Sequence, residues 1–76
     1  MFGRKEYIFN INLTSEKLLD IYKGIYRRIQ VVSSEGLTLD IDVNHIKQFT
    51  THDGIHGSFK LTTSAENKFI KIEKIS

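Results

Sequence analysis

Residues 28–43 read RIQVVSSEGLTLDIDV, and this stretch decides the fold. Apolar and polar side chains alternate on both sides of the segment Ser34-Glu35-Gly36, which is typical of two half-buried strands joined by a tight turn. Gly36 suits the left-handed position of a three-residue loop that ends in a bulge. The pattern therefore predicts an antiparallel hairpin.

The length of the loop sets the register of this hairpin. A three-residue loop puts apolar residues opposite one another on one face, namely Val31 with Leu39 and Ile29 with Ile41. The other face then pairs Arg28 with Asp42 and Gln30 with Asp40. A two-residue loop would instead place the apolar residues opposite aspartates, so the three-residue loop is predicted.

A strand and a short helix are predicted before the hairpin. Residues 7–13 alternate, with Tyr7, Phe9, Ile11 and Leu13 on one face. Thr14 is a suitable N-cap for a helix, and Gly24 is a suitable residue to end it. The helix is expected to bury one apolar face, formed by Leu18, Leu19, Tyr22 and Ile25.

Two more strands are predicted after the hairpin. Asn44 can cap a helical turn that tucks Ile46 and Phe49 inward. The Asp53-Gly54 pair marks a turn before the alternating residues 55–61, and residues 64–67 form a four-residue turn into a last strand. Closing that turn pairs apolar residues (Leu61 with Ile70, Phe59 with Ile72), and it places Lys60 opposite Lys71.

The element order is therefore β-α-β-β-β-β, and the fold class is α+β. We expect a small antiparallel five-stranded sheet, or a partly open barrel, with one helix. With 76 residues the chain has room for one small domain, residues 1–76, in which residues 1–5 are expected to be flexible.

Composition excludes several classes of protein. The absence of cysteine rules out a disulfide scaffold, a thiolate metal site and a cysteine nucleophile. Eleven Lys and Arg against nine Asp and Glu leave a net charge of +2, which is too small to identify a polyanionic partner. Neither a signal peptide nor an apolar stretch of membrane-spanning length is visible, so a cytoplasmic protein without membrane attachment is expected.

Two histidines are candidate metal ligands. His52 and His56 lie four residues apart around Asp53, and imidazole and carboxylate groups are suitable zinc ligands. A two-residue Asp53-Gly54 loop would send the two imidazoles to opposite faces, whereas a three-residue loop would bring them together. An ordinary turn is the preferred interpretation, and no cofactor is predicted.

Lysine and arginine residues suggest a ligand-binding or nucleic-acid-binding site. Like charges directly across two strands are unfavourable, so the predicted Lys60–Lys71 pair suggests an anionic ligand, although lysines on an edge strand also prevent aggregation. Lys23, Arg27 and Tyr26 interleave cations with an aromatic ring, as nucleic-acid surfaces do.

Little in the sequence suggests catalysis. Asp40 and Asp42 lie two residues apart on one strand face and are formally an acid–base pair. Their predicted cross-strand partners make an ordinary solvated face the better interpretation, so the chain is not expected to be an enzyme.

Residues 43–59 read VNHIKQFTTHDGIHGSF, and this run resembles the short gammaproteobacterial proteins grouped as domain of unknown function 2835. The similarity continues through residues 66–69 and extends back to residues 9–13 and 28–32, so it covers nearly the whole chain. Lys47 and Gln48 stand where the family often has Arg and Pro. The resemblance implies a stand-alone bacterial protein with no established activity, and it carries over no site residues.

Two functions follow as expectations. The first is a small non-enzymatic regulatory or adaptor module that binds another protein, or itself, through a sheet face or an open strand edge. Ile8 and Ile75 motivate it, because both are assigned away from the core faces. The alternative is a nucleic-acid-binding small barrel that uses Lys60, Lys71, Lys23, Arg27 and Tyr26.

Overall fold

The computed structural model of the chain describes residues 3–76, which form five strands and one α-helix. The elements in chain order are β1 (Arg4–Thr14), α1 (Ser15–Tyr22), β2 (Arg28–Val32), β3 (Thr38–Asp42), β4 (Gly54–Ser64) and β5 (Phe69–Lys74). Two short 3₁₀ turns, Val43–His45 and Lys47–Phe49, connect β3 to β4. The predicted order of elements is therefore confirmed.

The strands form two antiparallel sheets. One has the strand order β1-β4-β5 and the other is the β2-β3 hairpin. The predicted α+β class is therefore correct and the predicted single five-stranded sheet is wrong, and the strands of residues 3–76 do not close into a barrel. The sheets meet at one bridge between Phe9 and Ser33, where the Ser34 N–H donates to the Ile8 carbonyl at 2.7 Å. Beyond this bridge, the apolar face of the hairpin packs against the core and the hairpin does not continue the larger sheet.

The register of the β2-β3 hairpin is confirmed. Its paired residues are those that the three-residue loop requires, including Ile29 with Ile41 and Val31 with Leu39. Gly36 has φ 85°, which is the left-handed conformation that the loop needs. A local turn signal and a strict alternation were sufficient to fix this pairing.

The predicted register of β4 and β5 is wrong by two residues. Leu61 pairs with Ile72 instead of Ile70, and Lys60 pairs with Glu73 instead of Lys71. The turn is one residue shorter than predicted, because Ser64 still belongs to the pairing and its N–H donates to the Lys68 carbonyl at 2.8 Å. A bulge between the Thr62 and Thr63 pairings adds the second residue of the shift. The shorter turn and the bulge each shift the register by one residue. Because a shift of two residues keeps a side chain on the same face of a strand, Ile72 still faces the core.

The core lies between the larger sheet, α1 and the β2-β3 hairpin. Its buried apolar residues are Phe9, Ile11, Leu18, Ile21, Ile41, Val43, Ile46, Ile55, Phe59, Leu61 and Ile72. The Phe59 ring is fully buried and contacts the Phe49 ring edge-on, with ring centroids 4.9 Å apart. The predicted inward position of Ile46 is confirmed, and Phe49 is half-buried against the core.

The predicted buried face of α1 is only partly correct. Leu18 and Ile21 are buried, whereas Leu19, Tyr22 and Ile25 are exposed. The helix ends at Tyr22, so Ile25 lies beyond it and cannot extend a helical stripe. An eight-residue helix contacts the sheet with two side chains three residues apart, and its neighbouring apolar residues remain in solvent.

Caps explain where the helical segments begin and end. The Thr14 hydroxyl accepts from the Lys17 N–H at 3.3 Å, which confirms the predicted N-cap, and Gly24 follows α1 with φ 81°. Asn44 is not the cap of the next turn. The Asp42 carboxylate caps it by accepting from the Asn44 N–H at 2.8 Å.

The first strand is longer than predicted. It begins at Arg4 instead of Tyr7 and pairs with β4 over its whole length, from Arg4 opposite Ser64 to Thr14 opposite Gly54. The expected flexibility of residues 1–5 falls partly on residues 1 and 2, which lie outside the described residues. Across residues 3–76, no helix has the length and apolarity to cross a membrane.

Candidate functional site

The two histidines of the suggested metal site have separate surroundings. The two residues of the turn are His52 and Asp53, and not the predicted Asp53 and Gly54, because Thr51 and Gly54 pair with each other on either side. His56 Nε2 lies 2.9 Å from the Asp53 carbonyl, and His56 Nδ1 contacts the Asn12 side chain. Within residues 3–76, no group of three or more His, Cys, Asp or Glu residues is placed to hold a metal ion.

Lys60 and Lys71 lie beside carboxylates on the outward face of the larger sheet. Lys60 Nζ is 3.6 Å from a Glu6 oxygen and 3.9 Å from a Glu73 oxygen. Lys71 Nζ is 3.5 Å from the same Glu73 oxygen. The two lysines therefore alternate with acidic side chains, and the predicted pair of directly opposed cations does not form.

The other predicted site residues lie at the end of α1. Lys23, Tyr26 and Arg27 are exposed there, and Lys17 Nζ lies 5.4 Å from the centre of the Tyr26 ring. Because α1 packs against the inward face of the larger sheet, this group and the Lys60–Lys71 group are on opposite sides of that sheet. The structure thus separates the five predicted residues into two groups.

The acidic face of the hairpin differs in detail from the predicted one. Arg28 is opposite Asp42 in the register, but Arg28 Nε forms its ion pair with Asp40 Oδ2 at 3.0 Å. Both partners are more than half exposed, so this ion pair adds little stability. Asp42 is used as the cap of the next turn.

A trough lies between the hairpin and the far half of the larger sheet. It consists of two adjoining clefts of about 250 and 300 Å³ that share Asp40, Leu61, Thr63 and Asn67. Its other lining residues are Tyr7, Arg28, Leu37, Thr38, Leu39, Ile41, Asp42, His45 and Phe69. We call this feature the β3 trough, because β3 forms one wall of it.

The floor and one end of the β3 trough are well defined. Leu61 and Thr63 of β4 are buried and form the floor. At one end the rings of His45 and Phe69 stack with centroids 3.7 Å apart and 7° between their planes. Nearby, the Asn67 side-chain oxygen accepts from Tyr7 Oη at 3.3 Å and from Lys5 Nζ at 3.2 Å.

The backbone of β3 is unpaired on the side that borders the trough. The Ser33 N–H donates to the Leu37 carbonyl at 2.7 Å and the Val43 N–H donates to the Arg27 carbonyl at 3.0 Å, so odd-numbered residues point their backbone groups into the hairpin. The backbone N–H and C=O groups of the even-numbered residues of β3 therefore point the other way, away from β2. Within residues 3–76 no further strand pairs with β3, and the outward groups of Thr38 and Asp40 lack a backbone partner.

One side chain covers part of this edge. Arg28 Nη2 donates to the Asp40 carbonyl at 3.3 Å. The bond comes from a long, exposed side chain, so an incoming strand can displace it at small cost.

Sequence reasoning missed the β3 trough because nothing local indicates it. The pattern assigned β3 correctly as a strand. Whether another strand pairs with the free side of β3 depends on how the hairpin packs on the larger sheet, which no local pattern encodes. Ile8 and Ile75, the two apolar residues that suggested an interaction surface, differ in exposure. Ile8 is half-buried, whereas Ile75 is 49% exposed.

Comparison with known proteins identifies a family. The family model described as "Protein of unknown function (DUF2835)" matches residues 5–75, so the chain belongs to this family and the predicted resemblance is confirmed. No curated protein and no solved structure gives a significant match.

Proposed function

We propose that this chain is a small non-enzymatic regulatory or adaptor module that binds another protein by accepting an extended segment along the free edge of β3. The observation that carries the proposal is that the outward backbone groups of Thr38 and Asp40, beside the β3 trough, have no strand partner within residues 3–76. An extended peptide that adds to a sheet edge obtains affinity from main-chain hydrogen bonds and specificity from pockets for alternate side chains. The edge and the trough supply these two elements side by side.

The other strand edges support the choice of β3. β1 begins with Arg4 and Lys5, and β5 carries Lys71 and Lys74. Lysine and arginine on an edge strand discourage pairing with another chain. β3 has no lysine or arginine, and it borders the apolar rim residues Leu37 and Phe69, which are 51% and 42% exposed. The edge that lacks cations is therefore also the one that lies beside apolar surface.

The nucleic-acid alternative has weaker support. It depends on a cluster of cations, and Lys60 and Lys71 have Glu6 and Glu73 within 4.0 Å. Acidic neighbours reduce the attraction of a cation for phosphate. Lys23, Arg27 and Tyr26 would have to provide the interaction without the two sheet lysines. The cytoplasmic location and bacterial origin stay predictions.

A pair of proline variants tests the proposed edge. Thr38→Pro removes an outward N–H from β3, and Gln30→Pro removes an outward N–H from β2 of the same hairpin. Neither N–H takes part in the β2-β3 pairing, so both variants are expected to keep the hairpin. Urea unfolding of each variant establishes that it is folded before binding is measured.

Peptides for the measurement are selected from a random 12-residue library on the wild-type protein and labelled with a fluorophore. We expect them to bind the wild type and Gln30→Pro alike and to lose at least tenfold in affinity with Thr38→Pro. Equal binding to both proline variants, or no enrichment of peptides, would overturn the proposal. A parallel titration of ¹⁵N-labelled protein with single-stranded RNA tests the alternative, which amide shifts at Lys23, Tyr26 and Arg27 would favour.

A further inference from the structure

We infer that the segment bound at β3 alternates apolar and basic residues over about five positions, an inference that rests on the proposed function. Three features of β3 determine this pattern. They are the direction of its side chains, the charge on its outward face and the apolar residues that line one of the two clefts of the trough.

The direction of the side chains follows from burial along the strand. Leu39 and Ile41 point inward, toward the core, whereas Thr38 and Asp40 are exposed on the outward face. A residue of an added strand that lies directly opposite Asp40 projects to the same side as Asp40. Its two neighbours in the added strand then project inward over the β3 trough.

The charge of the outward face is acidic. Asp40 and Asp42 lie two residues apart, and Arg28 is the cation paired with Asp40. Among residues 3–76, no Lys, Arg or His nitrogen lies within 4.0 Å of the Asp42 carboxylate. Opposite charges across adjacent strands stabilise pairing, and like charges oppose it. Lysine or arginine is therefore favoured at the partner positions opposite Asp40 and Asp42.

The inward positions of the partner meet a different surface. Tyr7, Leu39 and Leu61 present carbon along the β3 trough, and the hydroxyl of Thr63 already donates to the Ser64 carbonyl at 3.0 Å. A charged side chain placed against Leu39 and Leu61 would lose hydration. Valine or isoleucine fits better, because β-branched residues also favour the extended conformation. The five residues of β3 set the length of the paired segment.

Three fluorescent peptides of ten residues test this pattern. The first alternates lysine and valine, the second alternates glutamate and valine, and the third contains the lysines and valines of the first in two separate blocks. We expect the lysine–valine alternating peptide to bind at least tenfold more tightly than either of the others, and its affinity to fall as salt is raised from 50 to 500 mM.

Protein variants assign the effect to the aspartates. Asp40→Asn with Asp42→Asn removes both charges and keeps a side chain that can cap the following turn. Glu35→Gln, in the exposed hairpin loop, is the control with a single lost charge elsewhere. The double variant is expected to bind the lysine–valine peptide at least fivefold more weakly, and the control is expected to match the wild type.

The outcomes separate the two proposals. If library-selected peptides bind at β3 but the lysine–valine peptide does not exceed the glutamate–valine peptide, the inferred pattern is wrong and the proposed function stands. If Thr38→Pro leaves the binding of both the selected and the designed peptides unchanged, the edge is not used and both proposals fail. Equal binding of the alternating and block peptides would also overturn the pattern.

Discussion

Lys60 lies directly opposite Glu73 on the outward face of the larger sheet, in the position where simple alternation would place Lys71. The carboxylate of Glu73 is within 4.0 Å of both lysines, and Glu6 approaches Lys60 from the other side. A surface that would otherwise concentrate positive charge is thereby nearly neutral. The charge pattern of this face is a consequence of register.

Removal of the shared carboxylate tests that arrangement. Glu73→Gln leaves Lys60 and Lys71 without their common partner, and we expect a loss of less than about 1 kcal/mol in the free energy of unfolding because the pairs are partly solvent-accessible. The loss should diminish in 1 M salt, which screens exposed charges. Urea unfolding at low and high salt measures both effects. Glu66→Gln in the adjacent turn is the control, and an equal loss in the control would contradict the interpretation.

The contrast between the two hairpins shows how far the sequence predicts the fold. The β2-β3 register follows from one loop, because only a three-residue loop that ends in Gly36 places apolar residues opposite apolar residues on one face. The β4-β5 register depends on a left-handed Asn67, φ 67°, and on a bulge at Thr62 and Thr63. Neither is marked by a residue that only that geometry accepts. The pattern therefore placed Ile72 correctly on the core face but with the wrong partner, and it also placed Ile70 on that face, although Ile70 lies in the bulge and is 40% exposed.

The candidate site was less predictable than the fold. Alternation identified β3 as a strand and Asp40 as an outward residue. Whether a second strand covers the outer edge of β3 depends on long-range packing. That packing includes the pairing of β1 with β4, two strands that are far apart in the sequence. The general behaviour of strand edges predicts that the chain binds another protein through an open edge. Only the tertiary structure shows that the open edge beside a trough is that of β3.

Leucines on α1 provide a second prediction, because adjacent residues differ in burial. Leu18 is 5% exposed and Leu19 is 56% exposed. Leu18→Ala is expected to lower the free energy of unfolding by about 2–5 kcal/mol through lost burial and a residual cavity. Leu19→Ala should change it by about 0.5 kcal/mol or less. Denaturant unfolding of the two variants measures the difference, and comparable losses would show that α1 packs through another face.

Asp42 and Asn44 compete for the role of cap in the turn after β3, and the structure assigns it to Asp42. Asp42→Ala removes the acceptor of the Asn44 N–H and should cost about 1 kcal/mol. Asn44→Ala keeps that hydrogen bond, since only the backbone of Asn44 takes part, and should be nearly neutral. Thermal unfolding distinguishes them. The reverse order of stability would restore Asn44 as the cap.

Gly54 and Gly36 both have positive φ, but their surroundings differ. A Cβ on Gly54 would collide with the Leu13 carbonyl oxygen across the β1-β4 pairing, whereas a Cβ on Gly36 would have no atom within 4 Å beyond its neighbours. Gly36→Ala therefore meets only the conformational penalty, about 1–2 kcal/mol. Gly54→Ala meets that penalty and the collision with backbone, so it should destabilise the protein by more than Gly36→Ala. Urea unfolding of both variants gives the comparison. If Gly54→Ala were the milder change, β1 and β4 would have to lie farther apart at this end than the structure places them.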